Sequence, residues 1–391
     1  MIRYLDPNHP VHRVNRALCS QIEAAQGNLL VHRFGNAFEF VERVLHDARL
    51  TLQAPSELRD QPVSSLTNLR SRDLGEWVRR YLLDSGTPEQ MVNHHAAAVS
   101  ERVRLLTAFD EPDAVVENTV QKVHKIVQGF PATPADILCG RNPGDVLDPF
   151  ILAATQALMF GGDIEQTIEA TVAHKALMMV EGLLGHLHED VIGQMRGNVR
   201  VPEPRGKDQE TLSPEFNPFP GSDVLQPPYQ FGDQFKFHQI KSKTGSAKGG
   251  DGGRLGKQLA RLRDLYGGEI FYHALIGKTL RGHRSKTSVE REARGVVVLV
   301  GKASFNCLTH TVVGPELLLR LYHSAFTTVA NRTGYRVDAI AALISSHFVE
   351  NAQREEEGFL ELMLEEAIQG PEAEQDNRLF AVGRRGRVTP R

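Results

Sequence analysis

The residues best placed to do chemistry together lie between positions 223 and 243 of a 391-residue chain. The run Phe235-Lys236-Phe237-His238-Gln239-Ile240-Lys241-Ser242-Lys243 alternates along its length as a strand does. In a strand every second residue shares a face. Gln239, Lys241 and Lys243 therefore point one way, and His238, Ile240 and Ser242 the other. Asp223 opens a preceding extended arm, ahead of Pro227-Pro228 and a turn at Gly232-Asp233. An acid at one strand end and a polar-x-Lys pair on the adjacent strand can converge on one point. Such a cluster suits a divalent cation held by oxygen, with a lysine beside an attacking water. Mg²⁺ prefers oxygen ligands, stabilises charge on a phosphoryl group and makes water more acidic. The plain alternatives are Asp223 as a turn-former after Pro220-Gly221, and Lys241 and Lys243 as charges guarding an edge strand.

The next segment is rich in glycine: Gly245-Ser-Ala-Lys-Gly-Gly-Asp-Gly-Gly253. Backbone N–H groups left open beside a helix start suit a phosphate oxygen, with Ser246, Lys248 and Arg254 as further donors. A flexible connector is the other reading. Positions 236–294 carry fourteen Lys/Arg against five Asp/Glu, and 350–376 carry ten acids against one base. The two segments cancel within a net charge of -3. A basic segment inside a near-neutral chain is the footprint of a polyanion site, or else a solvated surface paired with the acidic tail.

These residues need elements to hold them. The first 162 positions read as helical. Amphipathic spacing marks 71–83, 88–109 and 114–127, the second opened by Thr87 as N-cap and Pro88 at the first helical position. Asp163-Ile-Glu-Gln caps a long helix to about 195, apolar on much of its circumference and so expected to be buried. Five prolines between 202 and 220 then break the register. After the strand pair come a helix at 254–265, strands at 269–276 and 295–300, and helices at 314–327 and 337–367; the tail from 370 reads as loosely ordered. The order is α/β, in three regions: a helical 1–162 that contacts DNA, dimerises or braces; a core at 163–330; and C-terminal helices with an acidic tail at 331–391.

Composition sets limits. Apolar residues are 41% and charged residues 24% of the chain, which excludes disorder, collagen-like repeats and a coiled-coil rod. Cys19, Cys139 and Cys307 form no CxxC pair, so neither a disulfide framework nor a cysteine-built zinc site is expected, and a reducing cytoplasm fits best. The start, Met-Ile-Arg-Tyr-Leu-Asp-Pro, lacks the apolar stretch of a signal peptide. No apolar run is long enough to span a membrane.

Pro-Gly-Ser-Asp223, a spacer and then Gln239-Ile240-Lys241 resemble the hairpin of the PD-(D/E)xK nucleases. Gly185-His-Leu-His-Glu189 resembles the Gly-x-x-x-Glu on the first core helix of many of them. The run from Lys241 to Gly252 is similar to type II restriction endonucleases, with a nearer resemblance to the BstXI-like group. The resemblance covers about 163–310. It implies a mixed sheet flanked by helices, with Glu189 and Asp223 as Mg²⁺ ligands, Gln239 at the second strand position and Lys241 as the activating lysine. It further implies a bacterial, cytoplasmic enzyme that hydrolyses double-stranded DNA at specific sequences, a homodimer on a palindromic-type target with helices at 315–367 as the interface, and a companion DNA methyltransferase. Two departures stand out. Gln239 replaces the usual acid, for which Asp251 or Glu181 could compensate, and Lys243 shares the face of Lys241. Phosphates would be tracked by basic residues over 241–294, Lys243 among them, and bases read by Arg281, Arg284 and Lys286, which can donate to guanine edges. The alternatives are a repair or junction nuclease of the same fold, and a non-catalytic DNA-binding protein with a degenerate core.

Other motifs fail on spacing. Gly277-Lys278-Thr279 has Tyr272 where a P-loop needs its first glycine, and Gly256-Lys257-Gln258 lacks the Ser or Thr. Ile192 stands where a zincin needs its second histidine. No GxSxG elbow occurs. His186 and His188 are expected as helix-surface or core residues.

Overall fold

The structure, a computed structural model, describes residues 2–133, 149–202, 218–243, 252–281 and 283–355. By Cα proximity the chain divides into two compact units, 1–123 with 183–329 and 124–182 with 330–391. The regions read from sequence texture run in chain order; this division instead falls inside three helices.

The first unit holds a five-stranded mixed sheet in the order β1-β2-β3-β4-β5: β1 Val199–Arg200, β2 Val224–Gln226, β3 Lys236–Lys243, β4 Glu269–Ile276 and β5 Val297–Val300. The first three strands are antiparallel neighbours; β4 and β5 run parallel to β3. Parallel neighbours need a crossover. α10 (Gly252–Tyr266) supplies it between β3 and β4, and α11 (Arg284–Glu292) between β4 and β5.

Helices cover both faces of this sheet. On one, Leu225, Phe237, Ile270, Tyr272 and Ala274 pack with Leu259 and Leu262 of α10, Val289 of α11, and Leu18 and Ile22 of α1 (Arg16–Gly27). The other face meets the last turns of α9 (Ile164–Gly193) and α12 (Lys302–Thr309). A Cβ on Gly185 would stand 3.8 Å from Ser242 Oγ. Ser304 Oγ donates to the Ala274 carbonyl at 3.3 Å, and Asn198 donates to the Leu308 carbonyl at 2.7 Å. Gly193 is a glycine for steric reasons, since a Cβ there would lie 2.6 Å from Arg200 Cβ.

A separate apolar cluster unites α3 (Ala37–Asp47), α5 (Ser71–Asp84) and α6 (Glu89–Ala108) around Phe40, Leu45, Leu74, Leu82 and Val103. The remaining helices of this unit are α2 (Leu30–Arg33), α4 (Ser64–Thr67), α7 (Pro112–Val127) and α13 (Gly314–Thr333). In the second unit, α8 (Pro149–Met159), the first half of α9 and α14 (Val337–Glu355) share a small core of Leu152, Ile168, Val172, Ala341 and Ile344.

Several sequence expectations need correcting. α6 begins at Glu89 with Pro88 in the cap position, and no side chain caps it. Asp163, by contrast, accepts from the Gln166 amide at 3.0 Å as expected of a cap. α9 is not buried throughout: Leu177 and Met178 are exposed. The polar, basic stretch between β4 and β5, to which the sequence assigned no element, contains α11, and α12 was likewise not anticipated. The tail from 370 and the end of the helix expected at 337–367 lie outside the described residues.

Candidate functional site

β2 and β3 carry the site. Their register pairs Val224 with His238 and Leu225 with Phe237; continued by one residue, it sets Asp223 across from Gln239. The pair is held at backbone level, where the Asp223 amide donates to the His238 carbonyl at 2.8 Å. Asp223 and Gln239 are both buried, at 5% and 6% exposure. Asp223 Oδ2 accepts from the Ile240 amide at 2.6 Å and from Gln239 Nε2 at 2.5 Å. A buried carboxylate needs such donors, because an unsatisfied one is costly. They also fix its direction.

Lys241 follows Gln239 on the same face, half-buried beside its strand partner Ala274. Lys243 is exposed at the strand end, opposite Ile276. The alternation expected of 235–243 therefore holds, and both lysines lie on the face of Asp223 and Gln239.

Glu189 reaches this neighbourhood through a residue that the sequence reading passed over. Arg200, on the short β1, donates from Nη2 to Glu189 Oε2 at 2.7 Å and from Nε to Asp190 Oδ1 at 3.0 Å. Its Nη1 donates to the Val201 and Asp223 carbonyls at 3.0 and 2.9 Å. One guanidinium thus ties the end of α9 to the start of β2. Burial alone would lower the Arg200 pKa, but Glu189, Asp190 and Asp223 outweigh it and hold it above its usual value. Burial would likewise raise Asp190, yet contacts from Lys122 and Arg200 hold its carboxyl below the usual range. No period could have revealed Arg200, because a two-residue strand has none.

The oxygen chemistry fits a hard divalent cation in part. Asp223 and Gln239 bring a carboxylate and an amide together, and Mg²⁺ takes both kinds of oxygen. The Gln239 amide presents its nitrogen to Asp223; turned over, it would present its oxygen. Glu189 does not fit as a ligand while it holds Arg200, since the guanidinium already supplies its positive charge. Glu181, suggested to compensate for the missing acid, belongs to the other compact unit. Asp251 lies outside the described residues.

Of the residues expected to meet DNA, Ser246 and Lys248 also lie outside them. Arg254 is exposed on α10 with Lys257 and Arg261, and all three line a shallow depression shared with Arg291 of α11. Arg281 and Lys286 line a second cleft with Lys278. Lys286 is bound to Glu290 at 2.8 Å, and Arg284 is exposed in the first turn of α11. His186 is exposed, whereas His188 is half-buried beside the Tyr322 hydroxyl at 3.2 Å, its pKa lowered by desolvation to about 4.

On the opposite face of β3, shared with β4, lies a second cluster. His238 Nδ1 and His273 Nε2 are 2.9 Å apart, and both rings are fully buried. Cys307 of α12 completes a group whose ligand atoms lie within 4.8 Å of one another. No protein-family model and no curated protein matches the chain. No helix among the described residues is long and apolar enough to cross a membrane.

Proposed function

We propose that this protein is a Mg²⁺-dependent endonuclease of the PD-(D/E)xK kind, cutting double-stranded DNA at specific sequences as type II restriction enzymes do. One observation carries the reading: Asp223, Gln239 and Lys241 share one face of an antiparallel strand pair that is entered from α9 and left through a crossover helix into a parallel strand. Chance alternation would not also set Asp223 across from Gln239.

In this reading Asp223 and Gln239 would hold the cation, and Lys241 would orient the attacking water while facing the charge that grows on the phosphodiester. Bound Mg²⁺ supplies positive charge against the phosphoryl oxygens and makes water a better nucleophile. Arg200 keeps Asp223 in place through its carbonyl and neutralises Glu189. The exposed Arg254, Lys257 and Arg261 row follows the DNA backbone and contributes affinity without sequence information. Arg281, Arg284 and Lys286 are assigned to base reading. A palindromic-type target calls for a homodimer, and a restriction role calls for a companion methyltransferase in the same bacterial cytoplasm.

Two features favour a second reading, a DNA-binding protein with a degenerate nuclease core: Gln239 in place of an acid, and the Glu189–Arg200 ion pair. The deciding experiment is a digest of plasmid and phage DNA with Mg²⁺ or EDTA, beside Asp223→Ala, Lys241→Ala and Lys243→Ala. The expected outcome is discrete Mg²⁺-dependent fragments, reduced at least ~100-fold in Asp223→Ala and Lys241→Ala and retained in Lys243→Ala. Loss in Lys243→Ala instead would move the catalytic lysine by two residues. Nicks that follow DNA structure rather than sequence would indicate a repair enzyme. Salt-sensitive DNA binding without cleavage under any divalent metal would establish the second reading.

A further inference from the structure

We infer that His238, His273 and Cys307 form a zinc site inside the sheet, on the face opposite Asp223 and Gln239. The inference does not depend on DNA cleavage. His238 on β3 and His273 on β4 are fully buried, and Cys307 approaches both from α12.

Protein atoms do not satisfy both rings, and a cation shared between the facing nitrogens would replace their mutual hydrogen bond. The two rings meet through His238 Nδ1 and His273 Nε2 at 2.9 Å, a distance that requires one shared proton. The outward nitrogens, His238 Nε2 and His273 Nδ1, are buried with no partner. In either tautomer of a neutral pair, one outward nitrogen carries an N–H without an acceptor. Such a group costs about 1–3 kcal/mol. The rings pack on Phe271, with centroids 4.8 and 5.8 Å away. A core aromatic in place of either histidine would satisfy this surface at no such cost. Two buried imidazoles beside a thiol are explained by something that uses their lone pairs.

The donor set selects the ion. Two imidazole nitrogens and one sulfur suit Zn²⁺ and not Mg²⁺ or Ca²⁺, which take oxygen. With Zn–N at about 2.0–2.1 Å and Zn–S at about 2.3 Å, tetrahedral ligand atoms stand roughly 3.3–3.8 Å apart. The facing nitrogens at 2.9 Å must part by about half an ångström to share the ion, while the group's outer limit of 4.8 Å must close by about one. Three protein ligands leave one position for a water. Bound there, zinc would pin α12 to the two central parallel strands, and through Gln226, which donates to the Cys307 carbonyl at 3.0 Å, to β2 as well.

The test uses the full-length chain without an affinity tag, purified under reducing conditions. Elemental analysis should find about one zinc per chain, and the metal-free protein should take up about one Co²⁺. The cobalt protein should show the intense visible bands of a tetrahedral site together with a near-ultraviolet thiolate-to-cobalt band. Cys307→Ser should lose the near-ultraviolet band, and His273→Ala should lose stoichiometric binding. A folded wild-type protein that takes up no cobalt, or whose cobalt spectrum is unchanged in Cys307→Ser, overturns the inference. The wild-type titration decides the matter even if a variant fails to fold, because circular dichroism verifies the fold of the protein titrated.

Discussion

On one face of the central strands, Asp223 is buried against two donors, and Gln239 is one of them. On the other face, one residue away along the same strand, His238 is buried against His273 with a nitrogen left over on each ring. Both faces take polar side chains out of water. On the first, a carboxylate, an amide and a backbone N–H have complementary needs, and Arg200 satisfies the acids behind them. On the second, two like groups meet, and protein atoms alone cannot satisfy both. A buried polar group is held either by a partner or by a ligand. The first face is a set of oxygens organised by the protein, and the second is a set of lone pairs that lacks its acid.

The contrast breaks most easily at Arg200. Arg200→Met removes the donor to Glu189, Asp190 and two carbonyls, leaving Glu189 largely out of water without its guanidinium and Asp190 with Lys122 as its cation. The expected loss is about 3 kcal/mol, read from the midpoint of chemical denaturation; an unchanged midpoint would mean the network contributes no stability. Asp223→Ala comes next. It leaves the Ile240 amide without its acceptor and should cost about 2 kcal/mol by the same measurement, apart from any effect on cleavage. The smallest effect belongs to the other face. In EDTA, the double substitution His238→Leu with His273→Leu should change stability by less than about 1 kcal/mol, because it removes both imperfect partners together. A loss as large as that of Asp223→Ala would show that the histidine pair is stabilising in itself, and the two faces would then be alike.

Much of the core was legible along the chain, because its elements are long enough to show a period. Strand alternation placed Gln239, Lys241 and Lys243 on one face, and the expected 269–276 coincides with β4. Helical spacing anticipated α5, α7 and α10 to within two residues at each end. Shorter or atypical elements escaped. β1 has two residues and no period. α11 buries only Ser285 and Val289, so its sequence reads as a polar connector. The predicted capping role of Thr87 failed because Pro88 itself occupies the cap position.

The chemistry divides in the same way. Sequence alone determined which side chains share a face, because that follows from the backbone's own repeat over a few residues. It also determined that a long helix opened by Asp163 precedes the strands and that a basic stretch follows them. The tertiary structure alone decided that Asp223 stands across from Gln239, that Arg200 binds Glu189, and that His238, His273 and Cys307 meet. Those pairings join residues up to 69 positions apart, from Cys307 to His238. They are set by strand register and by the packing of helices on the sheet, which no local pattern encodes.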